Sequence, residues 1–152
     1  MVFSIKAKIL FIISLSILFT YAGMLYVNYD DISEIIPTHI NFKGEIDGYG
    51  NKIQLWVATG VNIILLLILF LVAKNPKYAN YPVEITDENR NSVYGKMRIF
   101  LGILSILVSC VFSTMILLSL KYTAIEMLRL FLFIVVMPGF FIVFFKEKTP
   151  HQ

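Results

Sequence analysis

The sequence predicts an all-α membrane bundle of four transmembrane helices with an ordered loop between the first two. Three observations support this prediction: 58% of the 152 residues are hydrophobic, only 15% are charged, and the mean hydropathy is +0.78. Because a soluble domain usually carries about 25% charged residues, the composition argues against a soluble enzyme. It also argues against a disordered chain, which combines low hydrophobicity with high charge.

Four apolar segments of suitable length account for the predicted spans. They cover residues 9–29, 53–73, 99–120 and 122–145, and the chain 1–152 forms a single membrane domain. About 20 residues of helix, rising about 1.5 Å each, cross a hydrocarbon core about 30 Å thick. The fourth span carries Glu126 and Arg129, which are close enough on one helix face to pair near a membrane surface, and Pro138-Gly139 should bend it.

The distribution of Lys and Arg gives the orientation, because basic residues resist translocation. With the N-terminus inside, the inner segments carry nine Lys and Arg residues and the outer segments carry four. We therefore expect an N-in, C-in topology with an outer loop at residues 30–52 and an inner loop at residues 74–98. The first span could instead be a signal peptide, but its apolar stretch continues to Val27 and exceeds the about 7–15 residues typical of a signal core.

Other sequence features argue against several function classes. The net charge is +3, but the 13 basic residues are scattered, so the expected partner is the lipid bilayer and no nucleic acid. The single cysteine, Cys110, permits neither an internal disulfide nor a zinc or redox motif. Since no HExxH, GxSxG or P-loop motif occurs, we expect no enzymatic activity and no cofactor. The first three spans also lack the midplane charges typical of a transporter.

Polar side chains within the predicted spans have a packing interpretation. Asn62 is the only amide in the second span, and a buried amide there usually bonds a neighbouring helix. Ser105, Ser109 and Ser113 recur every four residues in the third span, which predicts a small-residue stripe that lets two helices approach closely. A path for a substrate is the less favoured alternative.

The outer loop is dense in residues that shape turns. Pro37 fixes its own φ, while Gly44, Gly48 and Gly50 allow positive φ. The dipeptide Asp47-Gly48 is common in tight turns. These features predict a compact loop of several turns that caps the bundle. Its acidic residues are Asp30, Asp31, Glu34, Glu45 and Asp47.

His39 and Asp47 are the candidate chemical groups of this loop. Together with Asn41 they could hydrogen-bond the backbone to hold the turns; alternatively, they could recognise a ligand or bind a metal as part of a membrane enzyme. Zinc sites use three or four protein ligands, and the second histidine, His151, lies in the C-terminal tail. Metal binding is therefore the least favoured of these alternatives.

Two segments resemble a known bacterial family. Ile36-Pro37-Thr38-His39 with Asn41, Gly44, Asp47, Gly48, Gly50 and Lys52 is similar to the signature of the domain of unknown function at the N-terminal end of SdpI-type immunity proteins. The inner-loop residues Asn80, Tyr81, Pro82, Thr86, Glu88 and Asn89, followed by Tyr94, are similar to the segment that often comes next.

The resemblance implies a multi-pass protein of the bacterial plasma membrane. It implies immunity to, or sensing of, a toxic membrane-active peptide, bound through the outer loop by Pro37, His39, Asn41, Gly44, Asp47, Gly48, Gly50 and Lys52. The founding member also captures a repressor at the membrane. This chain differs in having four predicted spans rather than six, and it lacks the second signature domain.

The inner loop also has a structural interpretation. Thr86 is a candidate N-cap for the helix of the third span, and Asp87 and Glu88 would complement its dipole. Pro76 and Pro82 bracket a stretch predicted to be extended. In the alternative function of a scaffold or accessory subunit, the tyrosines of this region would dock a partner; they are Tyr78, Tyr81 and Tyr94.

Overall fold

A computed structural model describes residues 3–41, 43 and 45–121, which form three long helices and one β-hairpin. The helices are α1 (Ile5–Asn28), α2 (Ile53–Lys74) and α3 (Arg90–Ser119); the strands are β1 (Ile35–Ile40) and β2 (Ile46–Asn51). Short 3-10 turns follow α1 at Tyr29–Asp31 and α2 at Pro76–Tyr78. The predicted fourth span, residues 122–145, and the residues named there and in the C-terminal tail lie outside the described residues.

Each of the three helices is long and apolar enough to cross a membrane, so this is a membrane protein. Helix α1 begins at Ile5, four residues before the predicted span, because the Ser4 hydroxyl accepts a hydrogen bond from the Ala7 amide and caps it. Helix α2 matches its predicted span within one residue. Helix α3 has 30 residues and is about 45 Å long, so its first turns extend beyond a hydrocarbon core of about 30 Å.

The buried faces of α1 and α2 follow a seven-residue repeat. Buried residues alternate at spacings of four and three along α1, at Ala7, Phe11, Ser14, Leu18, Tyr21 and Leu25. The same spacing continues along α2 at Leu55, Thr59, Asn62 and Leu66. A repeat of this kind gives the small crossing angles of left-handed helix bundles. The remaining faces of α2 are exposed and almost entirely apolar, as lipid contact requires.

The predicted small-residue stripe lies in the packed interior. Ser105, Ser109 and Ser113 are all buried on α3, which packs against both other helices. One turn earlier, a Cβ atom built on Gly102 would lie 2.8 Å from the Cβ of Leu10 on α1. Here α1 and α3 are close enough that only glycine fits.

The predicted interhelical bond of Asn62 joins α2 to α1. The Tyr21 hydroxyl donates to Asn62 Oδ1 at 2.8 Å, and both side chains are fully buried. Such bonds stabilise membrane proteins by about 0.6 kcal/mol on average and reach about 1.7 kcal/mol. Among the described residues, two buried side-chain atoms have no hydrogen-bond partner: Asn62 Nδ2 and Ser109 Oγ.

Replacing Gly102 with alanine should destabilise the bundle by about 1–3 kcal/mol, because the added methyl group overlaps Leu10 and forces α1 and α3 apart. Equilibrium unfolding in detergent micelles measures this loss. Gly95→Ala is the matched control on the same helix, since a Cβ at Gly95 meets nothing within 4 Å. That control should be neutral or stabilising by about 0.5–1 kcal/mol. Equal effects of the two substitutions would contradict the close α1–α3 contact.

Candidate binding surface on the hairpin segment

The hairpin segment, residues 29–52, contains a two-stranded antiparallel sheet where a loop of turns is predicted. The strands pair from Ile35 with Asn51 to Ile40 with Ile46. Asp47-Gly48 therefore lies within β2, and its predicted role as the tight turn is wrong. The signal that indicates such a hairpin is a pair of short runs with isoleucine or tyrosine, separated by five residues that include Asn41 and Gly44.

Asn41 organises the turn that joins the two strands. Its side-chain oxygen accepts hydrogen bonds from the backbone amides of Lys43 at 2.9 Å and Glu45 at 3.0 Å. Its side-chain nitrogen donates to Glu45 Oε2 at 3.0 Å, and its backbone amide donates to the Glu45 carbonyl at 2.9 Å. This agrees with the structural interpretation of Asn41. Gly44, another residue of the motif, lies outside the described residues.

His39 and Asp47 meet where the strand pairing has two bulges. The pairing skips Thr38 on β1 and Asp47 on β2, so His39 lies opposite Gly48. Beside these bulges, His39 Nδ1 forms a hydrogen bond with Asp47 Oδ1. The side chains remain 69% and 46% exposed, respectively, so both are accessible to a ligand from solvent.

Gly48 is required for space, whereas Gly50 is not. A Cβ on Gly48 would lie 2.9 Å from the Cβ of His39. A Cβ on Gly50 would lie within 2.6–2.8 Å of the Gln54 amide group, but that group is the far end of a flexible, exposed side chain and can move aside. Neither glycine adopts the positive φ that the sequence suggests. Gln54 is a contributor to this packing that the sequence does not single out.

Lys52 anchors the hairpin segment to the end of α1. Its Nζ donates to the carbonyl oxygens of Tyr29 and Ile32, both at 3.3 Å, and lies 3.0 Å from Glu34 Oε1. It also lies 4.7 Å from the centre of the Tyr29 ring, a favourable cation–π distance. The backbone amide of Lys52 donates to the Glu34 carbonyl at 3.0 Å. Although the family resemblance implies ligand binding by Lys52, its buried ammonium is already engaged within the protein.

The exposed surface of the segment is acidic with apolar patches. All five of its carboxylates are exposed, whereas the Lys52 cation is buried; the carboxylates belong to Asp30, Asp31, Glu34, Glu45 and Asp47. Pro37 is also exposed. The largest exposed apolar side chains on the strands are those of Ile35 at 65% and Tyr49 at 66%. A ligand could therefore find both negative charge and apolar surface here.

The metal hypothesis has two of the ligands that a site needs. His39 and Asp47 meet, but among residues 3–41, 43 and 45–121 no group of three or more His, Cys, Asp and Glu side chains could hold a metal ion. Three protein ligands are typical of catalytic zinc and four of structural zinc.

The second motif forms a compact connecting segment, residues 75–89. The Thr86 hydroxyl accepts a hydrogen bond from the backbone amide of Asn89 at 3.3 Å. In return, Asn89 Oδ1 accepts one from the backbone amide of Thr86 at 2.9 Å. This reciprocal pair resembles a capping box, although regular helix begins only at Arg90, and Asn89 Nδ2 also donates to the Glu84 carbonyl. The other motif residues differ in exposure: Asn80, Pro82 and Glu88 are exposed, and Tyr81 is half-buried.

Tyr81 folds the connecting segment back on itself, so the stretch between Pro76 and Pro82 is not extended as predicted. Its hydroxyl donates to the Pro76 carbonyl at 2.7 Å, and its ring centre lies 5.7 Å from that of Tyr94. Burial raises the pKa of the Tyr81 phenol, and the neighbouring Tyr94 raises it further, while Arg98 lowers it. Tyr78, by contrast, is 74% exposed.

Arg98 makes a buried contact that the sequence does not reveal. Its Nε donates to the Ala73 carbonyl near the end of α2 at 3.0 Å, and its guanidinium lies 5.5 Å from the centre of the Phe3 ring. The available sequence signal is a cation directly beside an apolar run.

Lys52→Met should detach the hairpin segment from the end of α1, since two carbonyl oxygens and Glu34 lose their cation. We expect a loss of about 1–3 kcal/mol in unfolding free energy and faster hydrogen exchange in β1 and β2. Mass spectrometry of deuterium uptake measures the local effect. Lys43→Met removes an exposed lysine of the same segment and should change neither quantity. If Lys52→Met exchanged like Lys43→Met, the anchoring role would be refuted.

Comparison with known proteins concerns this same region. The model of a domain of unknown function, DUF1648, matches residues 16–66. No curated protein and no solved structure matches the chain. The match begins within α1, includes the whole hairpin segment and ends within α2. The chain thus contains a DUF1648 domain whose central part is the hairpin anchored by Lys52.

Proposed function

We propose that this protein is an immunity or sensing protein of the SdpI type in a bacterial plasma membrane, and that its hairpin segment binds a cationic membrane-active peptide outside the cell. The observation that carries the proposal is the anchored, solvent-exposed hairpin, whose accessible charges are mainly carboxylates. The resemblance of its motif to SdpI-type proteins and the DUF1648 match to the same region support it.

Electrostatics favours a basic ligand. The segment exposes five carboxylates but only one formal cation among its described residues, Lys43. Its other lysine, Lys52, is buried against Glu34 and two carbonyl groups. Complementary charge raises the rate of encounter and disfavours acidic competitors. Exposed Ile35 and Tyr49 add apolar surface for the other face of an amphipathic peptide.

The strand edges offer a second mode of contact. The sheet has two strands, so each has an edge without a strand partner among the described residues. Pro37 has no amide hydrogen for pairing on β1, whereas β2 contains no proline. An extended peptide could therefore add to the edge of β2 through main-chain hydrogen bonds, as in other cases of strand addition.

The proposal requires that the hairpin segment face the cell exterior. Single cysteines introduced as Lys43→Cys or Lys77→Cys in a Cys110→Ser background test this with a membrane-impermeant maleimide. We expect labelling of the Lys43→Cys protein in intact cells, and labelling of the Lys77→Cys protein only after the cells are opened. The reverse pattern would contradict both the predicted orientation and the proposed binding.

Direct binding can be measured with a synthetic Lys/Leu amphipathic peptide and protein in zwitterionic nanodiscs. We expect saturable binding that weakens as salt increases and that is absent for an analogue with Gln at every Lys. The double variant Asp47→Asn, Glu45→Gln should weaken binding by up to about fivefold per removed carboxylate, because exposed ion pairs contribute at most about 1 kcal/mol each.

Asp87→Asn is the matched control, since Asp87 is an exposed carboxylate at the opposite end of the bundle, paired with Arg90. It should leave peptide binding unchanged. In cells, expression of the protein should improve survival during exposure to such peptides, and the variant His39→Ala, Asp47→Ala should abolish the improvement. The proposal fails if the hairpin variants match the wild type in both binding and survival.

A further inference from the structure

A groove lies at the end of the bundle opposite the hairpin segment. It has a volume of about 440 Å³ and lies between the start of α3 and the connecting segment. One wall is formed by Tyr81, Pro82 and Val83, and the other by side chains from successive turns of α3, at Val93, Lys96, Met97 and Phe100. The volume is within the range of about 300–1,000 Å³ typical of small-molecule sites. Except for Lys96 and the Asn89 amide, its lining is apolar or aromatic.

The groove lies at the depth where a bilayer changes from headgroups to hydrocarbon. The apolar run of α3 begins at Ile99, next to Phe100 in the groove. Lys96 precedes Ile99 by about 4.5 Å along a helix axis, and Val93 by about 9 Å. A headgroup layer is about 5–8 Å thick on each side of the hydrocarbon core. Phe100 therefore lies at the hydrocarbon edge and Lys96 at the level of lipid phosphates.

Lys96 is the cation that this groove leaves accessible. It is exposed, and it forms no salt bridge with any residue that the structure describes. The neighbouring arginines are engaged elsewhere, because Arg90 pairs with Asp87 at 2.6 Å and Arg98 donates to the Ala73 carbonyl. An ammonium group above an apolar channel is complementary to a molecule with an anionic head and a hydrocarbon tail.

We propose that this groove binds one anionic phospholipid of the surrounding bilayer. The lipid phosphate pairs with Lys96, and an acyl chain lies along Met97 and Phe100 as it enters the hydrocarbon, while Val93 and the ring of Tyr81 border the headgroup. The hydrogen bond from Tyr81 to the Pro76 carbonyl and the contact of Tyr81 with Tyr94 hold that wall in place before lipid enters. The site is independent of the proposed peptide surface, which lies at the other end of the bundle.

Native mass spectrometry of the purified full-length protein tests the site with phosphatidylglycerol and phosphatidylcholine of identical acyl chains. The wild type should retain one phosphatidylglycerol in preference to phosphatidylcholine. Lys96→Gln should reduce this retention about fivefold, the effect of one basic residue near an anionic lipid surface. Lys77→Gln, which removes an exposed lysine from the same end outside the groove, should have no effect.

Phe100→Ala tests the acyl-chain part separately, because it removes the exposed ring at the hydrocarbon edge of the groove. It should reduce retention of both lipids, while circular dichroism shows unchanged helix content. Equal retention of the two lipids by the wild type overturns the proposal. Equal losses in the Lys96→Gln and Lys77→Gln proteins also overturn it, since they indicate general charge attraction. Wild-type retention in both Lys96→Gln and Phe100→Ala overturns it as well.

Discussion

The structure depends on how the carbonyl end of a membrane helix is satisfied when the chain leaves the apolar interior. The last carbonyl groups of a helix have no partner within it and carry partial negative charge. Arg98 meets this need for α2 through the Ala73 carbonyl, and Lys52 contacts the carbonyl of Tyr29, the C-cap of α1, and that of Ile32 just beyond it. Lys52 itself stands at the start of α2, where a cation is unfavourable. Its side chain therefore stabilises the bundle only by reaching across to the neighbouring helix.

This crossing contact connects the membrane bundle with the hairpin. Lys52 follows β2 directly, and Glu34 immediately precedes β1, so their ion pair and backbone hydrogen bond close the base of the hairpin. Tyr29 contributes its ring as well as its carbonyl. The strands are consequently fixed relative to α1 and α2. The exposed His39–Asp47 pair therefore has a defined position, which it would not have in a flexible loop. A surface held in this way loses less conformational entropy when it binds a ligand.

Much of the helical architecture can be predicted from the sequence because lipid imposes simple demands. Uninterrupted apolar length locates α1, α2 and the membrane part of α3, and the cost of a buried amide predicts the interhelical bond of Asn62. The hairpin is missed because Gly48 and Gly50, usually a sign of turns, lie within β2, where Gly48 packs closely against His39. The anchoring roles of Lys52 and Arg98 are missed because they depend on distances between segments, while residue type alone places both at membrane boundaries. The contact of His39 with Asp47 could be anticipated as a candidate pair, but the two bulges beside it could not.

The two bulges of the hairpin compensate for each other. Pro37 pairs with Tyr49 before them and Ile40 with Ile46 after them, which is the same register, because one additional residue on each strand cancels. In that register His39 would lie directly opposite Asp47, so the two side chains face each other with or without the bulges. Because Thr38 and Asp47 are the unpaired residues, removing either one would remove its bulge and leave the pairs on both sides in place. The middle of the hairpin can therefore lose one residue from either strand without changing how its two ends pair.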